Sequence, residues 1–193
     1  GDVGGFVHHD FANPGLMYAN PTLSTTTSLD FAELSPAVVV RAGNGESPRF
    51  GRSTDGGTTW TAAATEPAGV TGGGTVAVSA DGARAVWAPA GAAVSWSGDG
   101  GATWTPSAGV PAGATVESDR VDPARFYAYA AGSFYSSVDG GAAFAASGAV
   151  GLPAQGNVRF RALPGVGGDI WLAGGDTVGG VYGLWRSTDG GAS

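Results

Sequence analysis

The sequence predicts an all-β fold, a β-propeller built from repeated four-stranded sheets, and three observations support this prediction. One short sequence motif recurs four times along the chain. The segments between its copies hold short runs of Val, Trp, Tyr and Phe that are bounded by turn residues. No long segment shows the apolar spacing of an amphipathic helix. Repeats that each hold several short strands are typical of propeller blades.

The recurring motif has the form Ser-x-Asp-x-Gly, and in the first three copies an aromatic residue follows a few positions later. Its copies lie 99 − 55 = 44, 139 − 99 = 40 and 189 − 139 = 50 residues apart, counted from Asp to Asp. An Asp carboxylate can fold back onto nearby backbone N–H groups, and Gly accepts positive φ. The motif therefore predicts a hairpin that stabilises each blade. We expect structural roles for its four carboxylates, those of Asp55, Asp99, Asp139 and Asp189.

Two kinds of apolar run recur in each repeat and predict strands. The first kind follows a turn signal and the second leads into the Asp-containing turn; these runs span residues 37–41, 84–88, 125–129 and 169–173, and residues 48–52, 93–97, 133–137 and 182–186. Further strands, for example at 75–79 and 157–161, bring the expected number to about four per repeat. The chain should therefore contain about four blades.

The motif resembles the Asp-box of sialidases, sortilin-type receptors, photosystem assembly factors and several glycoside hydrolases. The N-terminal segment is more specific. Residues 1–10, 20–22 and 26–34 resemble the opening of the second propeller of glycoside hydrolase family 74, the xyloglucanases and related oligoxyloglucan hydrolases. Further similarity, at 79–82, 86–89, 118–123 and 168–174, extends the resemblance over essentially the whole chain.

This resemblance implies an inverting endo-β-1,4-glucanase that acts on xyloglucan or a related β-glucan, is secreted and needs no cofactor. In the family, two propellers face each other across a cleft and each contributes one catalytic Asp from an Asp-Val-Gly-Gly-like loop. The matching residue here is Asp2, with the general-acid role. The partner carboxylate would belong to an N-terminal propeller that this chain lacks. Because the family's propellers have seven blades, residues 1–193 are expected to be a partial C-terminal propeller, truncated at both ends.

Several polar and aromatic residues near Asp2 are candidates for the site. Asp2 lies among Gly1, Gly4 and Gly5, whose backbone a bulky sugar can approach closely; the alternative is a turn Asp that bonds its own loop. Tyr18 is expected to stack on a sugar ring, and His8 and Asn20 to contact substrate. No metal site is expected at His8 and His9, because adjacent side chains on an extended segment point to opposite faces. For Asp30, loop hydrogen bonding or a substrate contact is favoured over a catalytic role.

Composition excludes several other classes. The net charge is −7 and all nine basic residues are Arg, without the clustered positive field that nucleic acid requires. The chain has no Cys, which excludes disulfides and thiolate chemistry. It has no apolar stretch of about 18 residues that would predict a transmembrane helix.

Two other functions stay open at this point. The first is a non-catalytic Asp-box propeller that binds a protein or a glycan, which would not need the Gly-Asp-Val-Gly-Gly loop. The second is a sialidase, which requires three clustered Arg and a Tyr–Glu pair. Arg41, Arg52 and Arg186 lie beside strands or Asp-containing turns, and no such pair stands out.

Overall fold

The computed structural model describes residues 5–8, 10–13 and 15–193. These residues form fifteen strands in four antiparallel sheets and no helix. No membrane-spanning helix is therefore found among them. The predicted all-β fold is confirmed, and the sheets are consecutive blades of a β-propeller.

Each of the first three blades has four strands, hydrogen-bonded in sequence order from the inner to the outer strand. Blade 1 contains β1 (Thr25–Ala32), β2 (Ser35–Asn44), β3 (Phe50–Ser53) and β4 (Thr61–Ala62). Blade 2 contains β5 (Gly72–Val78), β6 (Ala85–Ala90), β7 (Ser95–Ser97) and β8 (Thr105–Pro106). Blade 3 contains β9 (Thr115–Ser118), β10 (Phe126–Ala130), β11 (Ser133–Ser137) and β12 (Ala145–Ala146).

Blade 4 differs from the prediction of four strands, because it has three within the chain. They are β13 (Asn157–Ala162), β14 (Ile170–Asp176) and β15 (Val181–Ser187). In the other blades the fourth strand begins six residues after the turn Asp (61 − 55, 105 − 99 and 145 − 139). The same spacing from Asp189 reaches past Ser193, the last residue of the sequence.

The blades surround a common centre through their first strands. Strand β1 contacts β5, β5 contacts β9, and β9 contacts β13. The fourth strands lie at the opposite edge of each sheet. The Asp-containing turns, which join third strands to fourth strands, therefore lie towards the outside of the blades.

The hydrophobic core lies between consecutive blades. Alternate residues of a strand point to opposite faces of its sheet, so each blade contributes one face to the interface before it and one to the interface after it. Phe50 of blade 1 packs against Trp87 of blade 2 with ring centroids 5.7 Å apart, and both are fully buried. Corresponding clusters at the next two interfaces are built around Val86, Val94 and Phe126, and around Tyr127, Phe134 and Phe160.

Each Asp-containing turn is closed by hydrogen bonds among its own residues. In the first turn, the Ser53 hydroxyl donates to Asp55 at 2.8 Å and accepts the Gly57 N–H at 2.8 Å. The backbone N–H and the hydroxyl of Thr59 donate to the Asp55 carboxylate at 2.8 and 2.6 Å. The carboxylate thus accepts its hydrogen bonds from residues of its own turn. The same Ser–Asp bond recurs at Asp99, Asp139 and Asp189.

Candidate functional site

The segment before blade 1 folds back on itself. Phe6 and Met17 form an isolated antiparallel bridge, and the Tyr18 N–H donates to the Gly5 carbonyl at 2.9 Å. Between them, Asp10 closes a turn by accepting the Ala12 N–H at 2.9 Å. The segment that follows the predicted catalytic loop is therefore held next to the segment that carries the predicted sugar contacts.

Tyr18 attaches this segment to blade 1. Its ring lies against Trp60, the aromatic residue of the first Asp-containing turn, with centroids 5.2 Å apart. The guanidinium of Arg41 packs on both rings, 4.4 Å from the centroid of Tyr18 and 4.5 Å from that of Trp60. The three side chains form one cluster, which we call the Arg41 stack.

The Arg41 stack repeats an arrangement found between blades. In the interface of blades 1 and 2, the turn residue Trp104 lies 4.9 Å from Phe50 and 5.3 Å from Trp87. Trp60 corresponds to Trp104, and Arg41 corresponds to Trp87 in strand register. Tyr18 takes the place of Phe50. The N-terminal segment therefore covers blade 1 where a preceding blade would lie.

A surface groove of about 510 Å³ runs between the N-terminal segment and the first turn. Tyr18 and Asn20 both line it, together with Leu16, Met17 and Trp60. Tyr18 is half-buried, whereas Asn20 is exposed. The structure thus brings two of the predicted substrate-binding residues to one groove that combines apolar and amide surface, a composition suited to sugar rings.

His8 is placed differently. Its ring is exposed and lies between those of Phe6, at 5.9 Å, and Phe11, at 6.4 Å. It does not line the groove. Asp2 and His9 lie outside the described residues, so the catalytic assignment stays a prediction. Within the described ranges, no group of three His, Cys, Asp or Glu side chains could hold a metal ion.

A second cavity, of about 330 Å³, belongs to the blade interfaces and not to a ligand site. It is mainly apolar and lies between blades 3 and 4, against Phe134, Leu172 and Trp185. Phe134 and Leu172 are the counterparts of Phe50 and Trp87 in strand register. The cavity therefore lies where Trp104 packs in the first interface.

Asp30 was expected to bond a loop or a substrate, and the structure corrects this expectation. It lies within β1 and is 5% exposed. Its carboxylate accepts the Val78 N–H of blade 2 at 2.8 Å and the Ser118 hydroxyl of blade 3 at 3.3 Å. Sequence reasoning missed this role because the partners are distant in sequence.

Comparisons with known proteins agree with the fold. No protein-family model matches the chain. A xyloglucanase from a Paenibacillus species is 50% identical over 200 residues, covering 100% of this chain and 20% of that protein. A xyloglucanase from Acetivibrio thermocellus is 40% identical over 177 residues, covering 90% of this chain and 21% of that protein. The crystal structure of a family 74 xyloglucanase from Xanthomonas campestris matches with a TM-score of 0.81 and 32% identity, covering 100% of this chain and 35% of that one.

These matches define the class of protein as a β-propeller of the glycoside hydrolases. The chain belongs to glycoside hydrolase family 74. It spans about a fifth of the length of the xyloglucanases from Paenibacillus and Acetivibrio thermocellus.

Proposed function

We propose that this chain is part of an inverting endo-β-1,4-glucanase that hydrolyses xyloglucan. The observation that carries the proposal is the 50% identity to a xyloglucanase across the whole chain. Residues 1–193 would form about four blades of a C-terminal propeller, and an N-terminal propeller of the same polypeptide would form the other wall of the cleft. Since xyloglucan is a polymer, we place the enzyme outside the cell.

In this proposal Asp2 is the general acid that protonates the leaving-group oxygen. Inverting hydrolysis requires a second carboxylate, roughly 6.5–9.5 Å away, that activates a water on the opposite face of the sugar. That general base would come from the N-terminal propeller. The groove lined by Tyr18 and Asn20 supports the assignment, because Tyr18 bonds the Gly5 carbonyl and Gly5 stands three residues after Asp2 in the sequence.

Tyr18, Asn20 and His8 would contact the substrate. The exposed part of the Tyr18 ring can stack on a glucosyl or xylosyl face, and the Asn20 amide can bond sugar hydroxyls. His8 is exposed on the neighbouring part of the segment and would contact a sugar beyond the groove. None of these contacts requires a cofactor.

The test is a pair of variants in the full-length protein that contains residues 1–193. Asp2→Ala should lower turnover of xyloglucan by about 10²–10⁴-fold, because general-acid assistance acts in the transition state. An aryl glycoside whose leaving group has a low pKa needs little protonation. Asp2→Ala should therefore lose much less turnover on this substrate than on xyloglucan. Asp10→Asn removes a carboxylate from the same segment, where Asp10 only closes a turn, and should keep turnover.

Two outcomes would contradict the proposal. Near-normal turnover by Asp2→Ala would remove Asp2 from the chemistry and favour a propeller that binds glycan or protein. A folded Asp2→Ala variant that is equally inactive on xyloglucan and on the activated glycoside would assign the base role to Asp2 in place of the acid role.

A further inference from the structure

Arg41 occupies a position that is apolar in every other blade. In strand register it corresponds to Trp87, Ala128 and Leu172, which all lie in the inter-blade core. Arg41 itself is completely buried within β2. Arginine is rarely buried to this degree unless it is paired, because burying its charge is costly. An apolar side chain would satisfy the fold here, so the retained charge calls for another explanation.

Three contacts of Arg41 lead to the N-terminal segment or to the turn beside it. Its guanidinium contacts the rings of both Tyr18 and Trp60, and a cation is attracted to the face of an aromatic ring. Its Nη2 atom donates to the Pro21 carbonyl. Burial lowers the pKa of Arg41 to about 10, so the side chain still carries its charge at neutral pH. Arg41 therefore holds both ends of the corner formed by residues 18–21.

Blade packing alone does not need these contacts. The corresponding cluster between blades 1 and 2, made by Phe50, Trp87 and Trp104, is assembled from rings only. A leucine or a tryptophan could not donate to the Pro21 carbonyl. The specific contribution of Arg41 is thus to fix the corner that carries Tyr18 and Asn20.

The fixed corner in turn holds the segment next to Asp2. The Tyr18 N–H bonds the Gly5 carbonyl, and the Tyr18 ring covers Gly5 so closely that a Cβ there would lie 2.8 Å from the ring edge. Gly5 has a φ of 127°, which favours glycine. Gly5 ends the Gly-Asp-Val-Gly-Gly loop. A continuous chain of contacts therefore runs from Arg41 through Tyr18 to this loop.

We propose that Arg41 is a positioning residue of the hydrolytic site, which holds Tyr18 and the residue 18–21 corner and, through Tyr18 and Gly5, the loop that carries Asp2. This inference rests on the proposed function. Through these contacts Arg41 would fix where the acid and the sugar-binding corner lie relative to each other. A displacement of about 1 Å at such a site costs about 10²-fold in rate.

The test uses Arg41→Leu in the full-length protein. Leu is the residue of blade 4 at this position, so the melting temperature should stay within a few degrees of the parent value. Turnover of xyloglucan should fall at least tenfold. Because the misplaced group is the acid, the activated aryl glycoside should recover most of the loss, as it should for Asp2→Ala. Arg41→Lys keeps a cation and a donor without the flat guanidinium, and should give intermediate turnover.

Arg52→Leu is the matched control. Arg52 also lies in blade 1, and its guanidinium donates to a backbone carbonyl, that of Gly82 in blade 2, at 3.3 Å. It does not touch the N-terminal segment, so turnover of this variant should be unchanged.

The outcomes separate the inference from the proposed function. If Asp2→Ala loses turnover and Arg41→Leu keeps it, the positioning role is wrong and the proposed function stands. If Arg41→Leu loses turnover on both substrates equally and melts much earlier, Arg41 has a structural role only and the inference is overturned. If Asp2→Ala itself keeps turnover, the proposed function fails, and the inference fails with it.

Discussion

Arg120 donates a hydrogen bond to the Asp30 carboxylate at 2.7 Å and so joins blade 3 to blade 1 across 90 residues of sequence. Arg120 also donates to the Phe31 carbonyl at 3.1 Å and to the Glu117 carboxylate. Glu117 accepts a further bond, at 2.9 Å, from Arg161 of blade 4. Since the Val78 N–H of blade 2 bonds Asp30, all four blades meet in this axial cluster.

The charges of the axial cluster balance, with two carboxylates and two guanidinium groups. Burial alone would lower the pKa of Arg120, but the carboxylates of Asp30 and Glu117 outweigh it and raise that pKa. Burial raises the pKa of Glu117 in spite of Arg120 and Arg161. Asp30, Glu117 and Arg120 are buried, so the loss of one of these three charges leaves the other two unbalanced.

Arg120→Met should destabilise the protein by about 3–5 kcal/mol, the range measured when one partner of a buried ion pair is removed. Asp30 and Glu117 are both about 5% exposed and would lose their shared cation. Urea unfolding of the parent and the variant measures the difference in free energy of unfolding. Arg125→Met is the control, because Arg125 pairs with Asp122 at 3.7 Å on the surface and should contribute at most about 1 kcal/mol. Equal effects of the two variants would refute the role of the axial cluster.

The axial cluster marks the limit of what the sequence could predict. The Asp-containing turns and the strand runs are local patterns, so the blades followed directly from the sequence. Asp30, Glu117 and Arg120 meet only because the blades surround one axis. Nothing in the neighbourhood of any one of them in sequence indicates its partners.

The candidate site shows the same contrast. Tyr18 was predicted from its nearness in sequence to residues 20–22, and the structure places it and Asn20 on one groove. The packing of Tyr18 on Arg41 and Trp60 was not predicted, since Arg41 lies in a run that the sequence assigns simply to a strand. The available signal was that Arg41 stands at a position of the repeat where the other blades have apolar residues.

Acid should weaken the first two blades in a defined pH range. The hydroxyl and backbone N–H of Thr59, with the Ser53 hydroxyl, lower the pKa of Asp55 to about 2, and Thr103 and Ser97 do the same for Asp99. An unfolded Asp titrates near 3.9. A lowered folded-state pKa means that the contribution to stability is fully present above about pH 4 and is lost as the pH falls towards 2.

Asp55→Asn should therefore reduce the dependence of stability on pH in this range. The variant is less stable than the parent at neutral pH, but its urea midpoint should fall less between pH 4 and pH 2. The double variant Asp55→Asn/Asp99→Asn should show about twice the reduction, because the two turns share no partners. Identical slopes for the parent and the double variant would contradict the role of these carboxylates.

Ala143→Thr should stabilise blade 3. The third turn lacks the hydroxyl that donates to the Asp in the other turns, and Asp139 receives only the Ala143 N–H at 3.0 Å at this position. Burial acts to raise the pKa of Asp139, but this N–H and the Ser137 hydroxyl outweigh it and lower that pKa. An added hydroxyl should contribute about 0.5–1 kcal/mol and lower the pKa further.

The measurement for this variant is thermal unfolding combined with a titration of the Asp139 carboxyl by nuclear magnetic resonance. Ala143→Val is the control, since valine has the shape of threonine without the donor. If the Val and Thr variants gain the same stability, the added hydrogen bond does not explain the effect.

Ala131→Asn should stabilise the tip of blade 3. Ala131 and Gly132 form the two-residue connection between β10 and β11, with φ values of 47° and 82°. Two positive φ values in a two-residue hairpin favour Asn followed by Gly, and a residue such as alanine pays about 1–2 kcal/mol for the left-handed conformation. Ala131 is exposed, so a larger side chain meets no core. We expect a gain of about 0.5–1 kcal/mol in the free energy of unfolding. Ala131→Val should lose stability, because a β-branched residue is the least tolerant of positive φ; a valine variant as stable as the asparagine variant would show that the turn does not keep this conformation.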